Sequence, residues 1–144
     1  MNLKTSFRTG AALIGGFVAK ALGGWDAALQ TLVCVMAADY VTGLLVSALW
    51  QKSKKSVNGA LDSGVCYKGL VKKGMMLVLV WLGAMLDTVT GSDFVRTAVC
   101  FFFIANESLS ILENTALMGV PYPAAVKNML DVMKQQVGEG AGNG

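Results

Sequence analysis

Apolar residues fall in four blocks along the chain, with one long polar stretch between the second and third. Residues 9–25 place Leu13, Ile14, Phe17, Val18, Leu22 and Trp25 on one helical stripe. The other side is small: Ala12 and Gly16, then Gly15, Ala19 and Gly23. This small-xxx-small spacing lets membrane helices approach closely, so Gly15, Gly16, Ala19 and Gly23 are expected to pack helices. As a helix the segment is about 25 Å long, slightly short for a bilayer core, so it either spans marginally or lies at the surface. Residues 26–49 are flanked by Trp25 and Trp50, one aromatic ring for each interface. They would extend about 36 Å as a helix, enough to span with some tilt.

Residues 51–73 change character. Lys52, Lys54, Lys55, Lys68, Lys72 and Lys73 face a single acid, Asp62, among serines and glycines. This reads as a basic loop. Residues 74–91 are apolar again, Ser92 and Asp93 form a turn, and residues 97–118 are the last apolar block. The chain then turns through Gly119–Pro123. Val126, Met129, Leu130, Met133 and Val137 recur at helical spacing, which predicts an amphipathic helix over about 123–137. The tail 138–144 is expected to be disordered.

Composition turns this pattern into a class. Of 144 residues, 54% are hydrophobic and 15% charged, where a soluble domain carries about 25%. A chain this short could not hide so much apolar surface from water. The expectation is one domain, residues 1–144: an all-α integral membrane protein with three or four transmembrane helices plus a short C-terminal amphipathic helix. Four is the favoured count. The apolar start resembles a signal peptide, but Lys20 interrupts it, and it is kept as mature protein.

Charge and chemistry narrow the function. A net charge of +3 is too weak to argue for nucleic acid. There is no histidine, so imidazole serves neither as base nor as ligand. Cys34, Cys66 and Cys100 lack metal spacing and read as reduced thiols. No cofactor or metal is expected. The lysines put loop 51–73 in the cytoplasm, so helices 26–49, 74–91 and 97–118 alternate and the C-terminus is cytoplasmic. The same loop could attract anionic lipid headgroups.

The informative residues are polar groups inside apolar blocks, which are costly in a bilayer. Asp39, with Thr42 and Gly43, either holds helices together or faces a water-filled lumen; Lys20 is a weak candidate partner. Asn106, Glu107, Ser110, Glu113 and Asn114 fall within about 120° on one helix, while Phe101, Ile104, Leu109 and Leu112 take the other faces. That polar stripe must meet other helices or water. It is either a hydrogen-bonded seam or the lining of a pore in an assembly. Two carboxylates suit acid–base chemistry, but no nucleophile, metal set or substrate pocket accompanies them. Cation or proton transport is the more credible rival.

Three stretches together resemble a known family. They are Asp39-Tyr40-Val41-Thr42-Gly43, the Gly64–Lys73 segment ending Lys-Gly-Leu-Val-Lys-Lys, and Asn106–Asn114 followed by Gly119-Val120-Pro121-Tyr122-Pro123. Over roughly residues 27–135 the chain is similar to the toxin-secretion and phage-lysis holins. The resemblance implies a phage or prophage protein in the bacterial cytoplasmic membrane that homo-oligomerises. It also implies lesions that release an endolysin or a toxin. An antiholin is a possible partner, and the link to endolysin needs no direct contact. One departure stands out: many holins end in a strongly basic tail, whereas here only Glu139 is charged beyond Lys134.

Overall fold

The computed structural model describes residues 2–142 and is all-helical over them. Its elements are α1 (Leu3–Ala21), α2 (Ala27–Leu45, continued by one π-helical turn, Val46–Trp50), α3 (Ser63–Thr90), α4 (Val95–Leu117) and α5 (Ala124–Gly142). Three helices are long and apolar enough to cross a membrane: Ala27–Trp50, Ser63–Thr90 and Val95–Leu117. Helix α1 is not among them, so three of the expected three or four spans meet that requirement.

Local chemistry sets the boundaries. Asp26 starts α2 by accepting from Leu29 N at 3.0 Å, and Asp62 starts α3 by accepting from Val65 N at 2.9 Å. Helix α2 ends at Gln51, whose φ of 51° is left-handed. The Asp62 cap corrects the expected basic loop, which here covers only residues 51–62. Lys68, Lys72 and Lys73 lie instead on the first turns of α3. At 28 residues α3 is about 42 Å long, more than a bilayer core of about 30 Å. The tail also differs: residues 138–142 continue α5, and residues 143–144 lie outside the described residues.

Helix α4 is the hub and packs against α2, α3 and α5, while α2 and α3 touch each other sparingly. The bundle divides along its length. Away from the lysines, Leu22, Leu29, Leu32, Met36, Met76, Val80 and Cys100 form an apolar core. Here Gly83 lets α3 approach α4 so closely that an added Cβ would lie 2.9 Å from Arg96 Cα. Towards the lysine end the helices separate around polar groups. Helix α5 buries Leu130 and half-buries Met133 and Val137, whereas Val126 and Met129 stay exposed.

Helix α1 has no buried residue. A Cβ on Gly15 or Gly16 would meet nothing within 4 Å, so the expected small-residue seam is not used within the chain. Gly23 lies beyond α1, in the turn to α2, with φ of +91°. The space a side chain would take there is filled by Arg96, whose Nε would stand 2.5 Å from a Cβ at this position. Ala19 is half-buried.

Candidate functional site

The polar residues inside the apolar blocks converge. Asp39 on α2, Lys73 on α3 and Glu107 on α4 form one buried ion cluster that ties three helices together. Lys73 Nζ donates to Asp39 Oδ2 at 2.7 Å and also to Glu107 Oε2. The side chains of Asp39 and Glu107 are 4% and 5% exposed, and Lys73 supplies the charged partner that buried carboxylates need. Asn114 completes the cluster. Its Nδ2 donates to Asp39 Oδ1 at 3.3 Å and to Thr42 Oγ1 at 3.0 Å, and Thr42 Oγ1 in turn donates to Asp39 O at 3.0 Å. Gly43 lies beside Asn114, where an added Cβ would meet Nδ2 at 3.7 Å, an ordinary contact.

The predicted stripe on α4 is therefore divided. Glu107 and Asn114 are buried against α2 and α3 within a single chain. Asn106 and Ser110 are half-buried and Glu113 is exposed. These three line a cavity of about 470 Å³ that runs from the cluster towards the lysine end. Its mouth is framed by the 51–62 loop, the start of α3 and α5, which contribute Lys54, Lys55, Lys72, Lys127 and Lys134. Lys52 and Lys68 are not in its lining. Lys20 is not the partner of Asp39; it sits in the last turn of α1, on the other side of the apolar core.

Lys73 was legible only as one of six loop lysines. The signal that separates it is its position as the last cation before an apolar run, in a chain with two acids inside other such runs. A second cluster, at the opposite end, escaped the sequence altogether. Arg96 donates through Nη1 to Asp26 Oδ2 at 2.7 Å and through Nη2 to Gly24 O at 2.9 Å, and its Nε donates to Leu22 O. Asp87 accepts from Val95 N and Arg96 N at 3.0 Å each, capping α4 from the neighbouring helix. The Arg96 guanidinium beside Asp26 holds that carboxyl below the usual carboxylate range. This clamp joins the α1–α2 turn to the start of α4.

Among the described residues no group of three or more His, Cys, Asp and Glu side chains could hold a metal ion. The three cysteines are free.

Over 115 residues the chain is 37% identical to an uncharacterised protein of Listeria monocytogenes, covering 79% of this chain and 76% of that one. It is 35% identical over 131 residues to an uncharacterised 14.9 kDa protein of Clostridium perfringens, covering 90% and 93%. It is 31% identical over 107 residues to a probable holin of Bacillus phage phi105, covering 74% and 73%. No solved structure matches it. The bacteriophage holin family matches residues 16–135, which contain both ion clusters and all three spans, and the chain is a multi-pass membrane protein belonging to that family.

Proposed function

We propose that this chain is a holin that oligomerises in the bacterial cytoplasmic membrane, with its lysine end and C-terminus in the cytoplasm. On this reading it opens lesions through which an endolysin, or in some hosts a toxin, leaves the cell. It acts on the membrane and catalyses no reaction. The observation that carries the mechanism is the buried pairing of Asp39 and Glu107 with Lys73. A single chain pairs Glu107 of its polar stripe internally and turns Glu113 to the cavity, so the inserted monomer presents mainly apolar side chains to lipid. In the lesion the helices would part at this cluster, and Glu107, Ser110, Glu113 and Asn114 would turn towards water. Exchanging intrachain for interchain or water contacts only when many copies are close makes opening cooperative in protein density.

The test is inducible expression in a bacterium with and without an endolysin, following membrane potential and turbidity. A delayed, abrupt depolarisation is expected, with lysis only when endolysin is present. The variants Glu107→Gln and Glu113→Gln should alter its timing. Unchanged timing and lesion size in both would remove the stripe from the mechanism. A second reading, a cation- or proton-conducting subunit, draws support only from the buried acids Asp39 and Glu107. It requires saturable, non-lethal flux. A third, an antiholin, would delay lysis by a co-expressed holin and cause none alone.

A further inference from the structure

The cavity at the lysine end is unlike a tunnel for cations. Six lysines line it against four carboxylates, Asp39, Glu107, Glu113 and Asp131. Three of those acids are engaged: Asp39 and Glu107 by Lys73, and Asp131 by Lys127 at 3.7 Å. Lys54, Lys55, Lys72 and Lys134 have no carboxylate within salt-bridge distance among the described residues. They come from three separate elements, the 51–62 loop, α3 and α5. Convergence of unpaired cations on one concave space is not needed to orient a membrane protein, for which scattered lysines suffice.

The loop that brings Lys54 and Lys55 to the mouth is shaped by its own hydrogen bonds. Ser53 N donates to Gly59 O at 3.0 Å, Lys55 N to Ser53 Oγ at 3.2 Å, and Ser56 Oγ to Ala60 O at 2.8 Å. Gly59, at φ of +75°, passes so near Gln51 that any side chain would collide with its carbonyl. At about 470 Å³ the cavity has the size of a small-ligand site, which typically falls between about 300 and 1,000 Å³.

A second cavity, of about 360 Å³ and almost wholly apolar, lies where α2 and α3 part. Met36, Ala37, Leu70, Gly74 and Leu77 line it, and it shares Tyr40 and Lys73 with the first. A cationic chamber next to an apolar groove is complementary to an amphiphile with an anionic head.

We propose that the two cavities together bind one anionic phospholipid. Its phosphate lies among Lys54, Lys55, Lys72 and Lys134, and an acyl chain lies along the α2–α3 groove. Phosphate is the shared chemistry that a free anion could also supply. The adjoining apolar groove selects the lipid.

The experiment uses the full chain purified in detergent, with retained lipid counted by native mass spectrometry. The probes are phosphatidylglycerol, phosphatidylcholine and inorganic phosphate. The chain should retain one phosphatidylglycerol and bind phosphatidylcholine about tenfold more weakly. The double variant Lys72→Gln/Lys134→Gln should weaken phosphatidylglycerol by a similar factor. The double variant Lys52→Gln/Lys68→Gln removes the same charge outside the cavity and should change nothing. Gly74→Leu fills the groove without altering charge, and an added Cβ there meets nothing within 4 Å. It should also lower retention, which keeps the test decisive if the lysine variant misfolds by circular dichroism. Equal loss in both lysine pairs would mean diffuse surface attraction and overturn the site. Inorganic phosphate displacing the lipid at equal concentration, or Gly74→Leu leaving retention unchanged, would overturn the lipid as its occupant. None of these readouts depends on lysis, so failure here and failure of the holin reading are separable.

Discussion

Lys73 holds two largely buried carboxylates that would otherwise have no cationic partner. Removing one partner of a buried ion pair strands the other and costs about 3–5 kcal/mol. Lys73→Met is therefore expected to lower stability by about that amount, read as chemical unfolding in detergent. Lys68→Met, on the same helix but exposed and outside the cavity, should be nearly silent. The triple variant Asp39→Leu/Lys73→Met/Glu107→Leu removes all three charges together and should recover most of the loss, because desolvation offsets much of what a buried pair gains. Recovery of stability with loss of timed lysis would assign the cluster to function rather than to folding. A triple variant as unstable as Lys73→Met would show instead that the fold needs its charges. Asp39 and Glu107 were legible from sequence because a carboxylate in an apolar run is conspicuous. Their pairing was not, since Lys73 lies 34 residues from each in opposite directions and only the three-helix geometry brings them together.

At the level of helices, hydrophobic blocks located all three spans, and their ends depended on caps. The stretch 63–73 resembles a loop because of its Ser, Gly and Lys content. Asp62 nonetheless caps it, and its Val65, Tyr67, Leu70 and Val71 are compatible with a helix continuing into the apolar run. Helix α1 runs Leu3–Ala21 rather than over the expected residues 9–25, for a different reason. Its small-residue face fits helix packing by pattern, but Gly23 and Gly24 take positive φ and α1 makes no substantial contact with the rest of the bundle. The joint that matters is instead Arg96 gripping the carbonyls of Leu22 and Gly24. Deleting residues 2–21 retains that clamp and is expected to shift the thermal midpoint by less than about 4 °C, the equivalent of about 1 kcal/mol. A larger drop would mean that α1 supports the bundle. If α1 serves contacts between copies through Gly15 and Gly16, the same deletion should delay or abolish lysis while the remaining helices stay folded.

Across the whole molecule, apolar packing and polar chemistry are segregated along the bundle axis. The core of Leu29, Leu32, Met36, Val80 and Cys100 lies on one side of the ion cluster and the lysine-framed cavity on the other. The charges follow the same division. Eight lysines, at 52, 54, 55, 68, 72, 73, 127 and 134, gather on or towards one end. At the other end Arg96 is buried and paired with Asp26, and Lys20 is the one exposed cation among the described residues near it. Basic residues near span ends are retained on the cytoplasmic side during insertion, so the lysine end should face the cytoplasm. Single cysteines read this directly, after Cys34, Cys66 and Cys100 are replaced by Ala. Val57 in the 51–62 loop and Asp93 in the α3–α4 turn are both exposed. Asp93→Cys should react with a membrane-impermeant maleimide in intact cells sampled before depolarisation. Val57→Cys should react only after permeabilisation, and inverted vesicles should reverse the two. Labelling of Val57→Cys from outside would invert the topology and place the phosphate-binding cavity in the outer leaflet. Labelling of both in intact cells before depolarisation would mean that the chain does not adopt a single orientation, and the lysine asymmetry would then not decide it.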